Sequence, residues 1–244
     1  MKLENLVTEI DKKKVDLDAM RPLDEIELER LHRDFTIEYT YNSNAIEGNT
    51  LTLRETALVL EGLTIDSKPL KDHLEAVDHR EAFDFVCELV KEGFELDEGI
   101  IKKVHSLVLA HKRQFSGIYR KLPVRILGSE YEPPQAYLIE TKMQELLLDY
   151  KKSQEHILKK LAKFHVDFEC IHPFIDGNGR TGRLIVNLEL MKSGFPPIDI
   201  KFTDRVKYYD AFEKFHTSGS YDCMELLFAQ YLNERLDYFL SLRS

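Results

Sequence analysis

Apolar residues recur at three- and four-residue spacing along most of this chain, so the pattern predicts helices nearly throughout. Leu23, Ile26, Leu31 and Phe35 form the apolar face of a helix that starts just after Pro22 and ends near Asn42–Asn44, with Gly48 barring its continuation. Thr52 followed by Glu55 reads as a capping box for a second helix over about 53–61, closed by Gly62. A third is expected over about 69–91, with Leu74, Val77, Ala82, Phe85 and Leu89 inward and Gly93 as its stop. Asp97 caps a fourth, whose buried stripe is Ile100, Ile101, Val104, Leu107 and Val108. Residues 115–134 break the rhythm. Short alternating runs flank a Gly128-Ser129 turn and lead into Pro133-Pro134, which predicts a small β-hairpin lying on a helical body. Helices resume over about 135–150, 154–170, 180–193, 203–216 and 220–241. Ile157, Leu161, Phe164, Val166 and Phe168 line the second of these. The last is apolar enough, through Leu226, Leu227, Phe228, Tyr231, Leu236, Phe239 and Leu240, to require the body or a second subunit to cover it. The expected organisation is an N-terminal helical segment over 1–95, a helical core over 96–218 and a C-terminal helix over 219–244.

Composition narrows the class without naming a function. The 244 residues carry a formal net charge of −9, with 11 Gly, 8 Pro and no Trp, which excludes collagen-like and disordered chains. No apolar run approaches the ~18–20 residues of a membrane span, and the opening MKLENLVTEIDKKK lacks the apolar stretch of a signal peptide. Cys87, Cys170 and Cys223 are scattered, odd in number and without a CxxC, arguing against a disulfide framework or a thiolate zinc site. The expectation is a cytoplasmic protein with no membrane partner. The acidic balance disfavours a nucleic-acid partner too, and the 25–30 residues after the core are too few for an added DNA-binding domain.

The chemistry is concentrated in Ile171-His172-Pro173-Phe174-Ile175-Asp176-Gly177-Asn178-Gly179-Arg180-Thr181-Gly182-Arg183. A helix must end at His172, because Pro173 cannot continue its hydrogen bonds. Asp176-Gly177-Asn178-Gly179 then makes a tight turn, and the next helix starts at once, aiming its free N–H groups and positive dipole end at that turn. This is an anion site by construction. Arg180 and Arg183 share one face of the helix start, where cations oppose the dipole by roughly 0.3–1 kcal/mol each unless a polyanion compensates. Asp176 would repel a bare phosphate but suits one carrying Mg2+. A base, a carboxylate, a glycine nest and two arginines within twelve residues therefore point to a nucleoside triphosphate with Mg2+. No GxxxxGK[ST] P-loop and no protein-kinase signature is present.

HPFIDGNGRTGR closely resembles the signature of Fic-domain proteins, HxFx(D/E)GNGRxxR, with every defined position filled. The resemblance covers about 95–215 and implies an all-α Fic-type domain that transfers a nucleotide monophosphate, typically AMP from ATP, to a Ser, Thr or Tyr hydroxyl of a target protein, releasing pyrophosphate. It implies His172 as general base, Asp176 as Mg2+ ligand, and Gly177, Asn178 and Gly179 as the anion hole, with Asn178 also contacting the α-phosphate. Arg180 would bind the β-phosphate and Arg183 the γ-phosphate. Residues 121–133 would be the hairpin flap that registers the target backbone by strand pairing. Tyr208 and Tyr209, beside Arg205, lie where similar proteins build the adenine pocket; being adjacent, at most one should meet the base. Ser43, Glu47 and Gly48 resemble the family's inhibitory motif (S/T)xxxE(G/N), which implies that Glu47 pairs with Arg183 in place of the γ-phosphate. Some relatives with this brake also remove AMP, others use another nucleotide or phospho-group, and many form homodimers. The rival from another class is a non-enzymatic helical module whose nest only binds phosphate.

Overall fold

A computed structural model describes residues 3–20, 24–126 and 129–242. Ten α-helices carry the fold: α1 (Leu3–Ala19), α2 (Glu25–Ile46), α3 (Leu53–Leu60), α4 (Leu70–Glu92), α5 (Glu98–Val108), α6 (Ile139–Lys152), α7 (Ile157–Ile171), α8 (Asn178–Lys192), α9 (Arg205–Ser218) and α10 (Asp222–Ser241). The caps written in the sequence form. Thr52 and Glu55 bond reciprocally at the head of α3, and Asp97 Oδ1 accepts from the Ile100 N–H at 2.7 Å. Pro22 and Leu23, which the sequence reading places at the start of the first amphipathic helix, lie outside the described residues.

The centre of the molecule is α8. It is buried almost along its whole length and packs against α4, α5, α7 and the end of α2. Around it, one hydrophobic cluster draws residues from every helix except α3, including Ile10, Phe35, Phe83, Val104, Met143, Phe164, Leu184, Tyr208 and Phe228. A smaller cluster of Leu51, Val59 and Ala76 seats α3 on α4. The terminal helix α10 is covered within the chain, by α1, α7 and α9. Helix α1, for which the sequence reading assigned no element, supplies Leu6, Ile10 and Leu17 to that contact.

Three expectations are corrected. The β-hairpin is not borne out: among the described residues there is no strand, and those of 121–126 and 129–134 are irregular. Leu127 and Gly128, half of the expected turn, lie outside the described residues. Pro123, Pro133 and Pro134 lack the N–H donors a ladder needs, and side chains anchor the segment instead. Arg120 Nη1 and Nη2 donate to the carbonyls of Leu122 and Pro134 at 3.0 and 2.7 Å. Tyr131 stacks on His216 of α9 at 4.2 Å, and Ser129 Oγ donates to Glu213 at 2.8 Å.

The buried face of α4 is rotated from the apolar stripe. Ala82 and Leu89 are inside, but Leu74 is 38% exposed, while Asp72, Glu75, Asp78 and His79 are buried. Those polar groups have partners: Asp72 accepts from Thr50, Glu75 meets Asn49 and Arg180, Asp78 meets His111, and His79 meets Thr40, so hydrogen bonding overrides hydropathy there. Likewise the expected apolar position Ile26 of α2 is exposed, whereas Thr36, Thr40, Asn42, Ser43 and Asn44 are buried.

Candidate active site

Helix α7 ends at His172, whose φ of 48° puts it in the left-handed region uncommon for a side-chain-bearing residue. The chain then turns through Pro173–Asp176 and re-enters helix at Gly177, with φ of 80°. No side chain caps α8, and its first i→i−4 bond is Thr181 N–H to Gly177 O at 3.0 Å. The N–H groups of Asn178, Gly179 and Arg180 therefore have no intrahelical acceptor and form the nest.

Several side chains freeze the loop. Asn178 closes it from inside: its Oδ1 accepts from the Phe174 N–H, and its Nδ2 donates to the Phe174 carbonyl, both at 2.9 Å. That engages both ends of its amide, leaving its backbone N–H facing the nest. His105 of α5 stacks on Phe174 with centroids 3.6 Å apart, and its Nε2 lies 2.9 Å from the Asp176 carbonyl. Its Nδ1 accepts from the Gly117 N–H at 2.9 Å, so the proton sits on Nε2. Burial pushes His105 down to about 4, keeping it neutral. Arg120 works from the other side. Its buried guanidinium meets no carboxylate, and its Nε donates to the His172 carbonyl at 2.8 Å. One side chain thus ties the loop to Leu122 and Pro134.

Asp176, Arg180 and Arg183 are each paired. Asp176 takes Lys112 Nζ on Oδ2 at 2.6 Å and Arg180 Nη2 on Oδ1 at 3.2 Å. Burial works against its anion, but Lys112 and Arg180 outweigh it and bring the carboxyl down to about 2. Arg180, only 2% exposed, also reaches Glu75 Oε1 at 3.3 Å and Asn44 Oδ1 at 3.4 Å. Arg183 is equally buried. Its Nη2 meets Glu47 Oε1 and the Ser43 carbonyl at 2.8 Å, its Nε the Ser43 hydroxyl at 3.1 Å, and its Nη1 the Tyr208 hydroxyl at 3.1 Å. Burial opposes its charge, yet the oxygens of Tyr208 and Glu47 hold its proton above the ordinary arginine value. Glu47 caps α2, followed by Gly48 at φ of 93°. Its carboxylate lies so close over Gly179 that a Cβ there would overlap Oε1.

Residues 95–190 match the family model described as Fic/DOC family. The chain is also 33% identical over 213 residues to the protein adenylyltransferase Fic of Nematostella vectensis, covering 85% of this chain and 49% of that protein. This is a Fic/DOC family protein. In fold it is similar to a Fic domain containing signaling protein from Bacteroides thetaiotaomicron, with a TM-score of 0.84, 27% identity and coverage of 96% and 94% of the two chains. It is similar as well to Fic-1 from C. elegans, with a TM-score of 0.87, 25% identity and coverage of 99% and 72%. The chain spans about half the length of the curated Nematostella relative.

The Fic loop, both arginines, Asp176 and the Ser43–Gly48 segment are thus gathered at one helix end. The two tyrosines are not equivalent there. Tyr208 is interior, its hydroxyl held between Arg183 and His165 Nε2, the latter at 2.7 Å. Tyr209 is partly exposed, and its hydroxyl donates to the Ile46 carbonyl at 3.2 Å, with Arg205 over its ring at 5.3 Å. Sequence reasoning missed Arg120, His105, Lys112 and Glu75. For Glu75 a signal existed: Asp72, Glu75 and His79 repeat at helical spacing, a polar stripe that reads as a solvated face until its partners are known. Among the described residues no helix is long and apolar enough to cross a membrane.

Proposed function

We propose that this Fic protein transfers AMP from Mg-ATP to a Ser, Thr or Tyr hydroxyl of a protein and is held in check by Glu47. The observation that carries the reading is the Glu47–Arg183 pair of 2.8 Å, seated on the open N-terminus of α8 beside His172. A carboxylate there occupies the ground a terminal phosphate needs. His172, whose proton affinity burial lowers, is suited to take a proton near neutrality. In the reaction the acceptor oxygen bonds to the α-phosphorus, the bond to the bridging oxygen of pyrophosphate breaks, and the hydroxyl proton goes to His172. The N–H groups of Asn178, Gly179 and Arg180 donate to the phosphate oxygens as charge builds.

Asp176 fits a metal ligand's part. It is anionic, a third exposed, at the mouth of the nest, and already attracts two cations. No group of three or more His, Cys, Asp or Glu among the described residues could cage an ion alone, so the ion would arrive with the phosphates. Bound there, Mg2+ supplies charge neutralisation at the triphosphate. Arg183, freed of Glu47, holds the γ-phosphate, and Arg180, turned by Glu75 and Asp176, faces the β-phosphate. Tyr209 is the better placed of the two tyrosines to meet the base, since Tyr208 is engaged inside.

A second reading, removal of AMP from a modified protein, uses the same groups. It is favoured by the partial exposure of the Glu47 carboxylate above Gly179, where it can hold a water. Incubating Glu47→Gly and wild-type protein with labelled ATP and Mg2+ tests the first reading. The variant should label itself or a target strongly, and Glu47→Gly/His172→Ala should not label while still binding ATP by calorimetry. No transfer by Glu47→Gly with any nucleotide would return the chain to a phosphate-binding module.

A further inference from the structure

One buried carboxyl beside the loop has no part in the scheme above. Glu169 lies one turn before His172 on α7, and its Oε2 is 3.9 Å from His172 Nδ1. Three side-chain atoms within two turns of α7, His165 Nδ1, Glu169 Oε1 and His172 Nδ1, are buried and without a close side-chain partner. Native structures rarely leave such atoms orphaned, and the carboxyl of Glu169 lies between the two rings, so the cluster calls for an explanation. The left-handed turn at His172 brings its ring back over the last turn of α7. Gly182 makes room on the opposite side, where a Cβ would press on Glu169 Oε1 at 3.1 Å and on His165.

We propose that Glu169 is a positioning residue for the base: its carboxylate accepts a hydrogen bond from His172 Nδ1–H, leaving Nε2 free to take the acceptor's proton and stabilising the imidazolium that results. This inference rests on the transfer reading above and deepens it. The backbone carbonyl of Glu169 also favours a proton on that ring, so the carboxylate's particular contribution is its charge. The groups facing Glu169 are His165 and His172 on its own helix, Arg183 on α8, Tyr208 on α9 and Glu47 at the end of α2. Burial and then the Glu47 charge push its carboxyl up to about 8, with Arg183 opposing. The sign follows directly. Removing the Glu47 charge lowers the Glu169 carboxyl, while burial continues to raise it.

The test reads His172 itself. Its imidazole is titrated by NMR in Glu47→Gly and in Glu47→Gly/Glu169→Gln, with transfer kinetics alongside. The Gln variant should lower the His172 midpoint by about one pH unit. It should also lower kcat by roughly tenfold or more, with the KM for ATP nearly unchanged. Glu169→Asp, which keeps the charge, should retain most of the midpoint. An unmoved midpoint in the Gln variant overturns the pairing. If Glu47→Gly shows no transfer with any nucleotide, the transfer reading fails, while the titration still decides whether Glu169 governs His172.

Discussion

Replacing Glu47 by Gly is the perturbation with the clearest consequence. Arg183 is 3% exposed and Glu47 34%, so their pair lies between a surface ion pair, worth ~0–1 kcal/mol, and a buried one, whose disruption costs ~3–5 kcal/mol. An intermediate value of about 2 kcal/mol converts to roughly a 30-fold change in how often Arg183 is free to receive a phosphate. The guanidinium keeps its place meanwhile, because Ser43 and Tyr208 still accept from it. Labelling from ATP should therefore rise about 10–100-fold, and stability should move the opposite way. Without nucleotide, the variant leaves a buried cation short of its anion and should melt about 4–8 °C lower, at 2–4 °C per kcal/mol for a chain of this size. Nucleotide at about 100 times its dissociation constant should return ~2.7 kcal/mol, so the ATP-induced shift in melting should exceed that of wild type. Glu47→Gln, which keeps hydrogen-bonding reach without charge, should fall between the two. Equal labelling together with equal melting shifts for wild type and Glu47→Gly would refute the competition argument, whatever the distance in the resting state.

Other consequences follow from groups around the nest. Arg120→Met should cost about 1–3 kcal/mol in urea unfolding, because it strands part-buried carbonyls of His172, Leu122 and Pro134. It should slow transfer more than it weakens ATP binding; unchanged transfer in a folded variant would show that this link is idle. Lys112→Ala should tighten binding of Mn2+ alone severalfold by water-proton relaxation, since it removes the ammonium from Asp176 Oδ2, and Asp176→Ala should abolish that binding. Acid should destabilise the fold between pH 6.5 and 4. Burial holds His105 at about 4 and His165 at about 3 when folded, so the unfolded chain alone binds their protons in that window. The loss for His105 is on the order of 3 kcal/mol, measured as the fall in unfolding free energy from pH 7 to pH 4.5. Glu169, held at about 8 when folded, contributes with the opposite sign, so the rings are also titrated by NMR, and a His105 midpoint near 6.5 would mean that ring is solvated.

What the sequence revealed and what it concealed divide along a physical line. The helices after α1 were legible because their spacing, the caps at Thr52 and Asp97 and the stops at Gly48 and Gly93 agree on where they lie. The nest was legible because its members are adjacent in the chain. Arg120 and Lys112 were not: a lone basic residue reads as solvated until the fold shows whether carbonyls or a carboxylate await it. The face of α4 was misread for the same reason, since apolar spacing favours Leu74 whereas Glu75 has Arg180, Asn49 and Lys71 to bond. The flap was misread because alternation predicts a strand, while strand formation needs donors that Pro123, Pro133 and Pro134 lack.

The brake itself has a cause written in helix electrostatics. Cations are unfavourable at a helix N-terminus and anions at a C-terminus, each by roughly 0.3–1 kcal/mol. Helix α8 begins with Arg180 and Arg183 near its positive end and has no acid in its first turn; α2 finishes at Glu47, at its negative end, with no base in its last turn. Each helix carries the wrong sign at the end that meets the other. Apposing them cancels both penalties at once, since Glu47 lies over the N–H groups at Gly179 while bonding Arg183. A triphosphate satisfies α8 equally well but leaves Glu47 at the negative end of α2, so on the proposed reading activation costs the Glu47 segment more than it costs the nest. A release signal therefore has most leverage on α2, where Tyr209 bonds the Ile46 carbonyl and Asn42 bonds Asp199 at 2.7 Å.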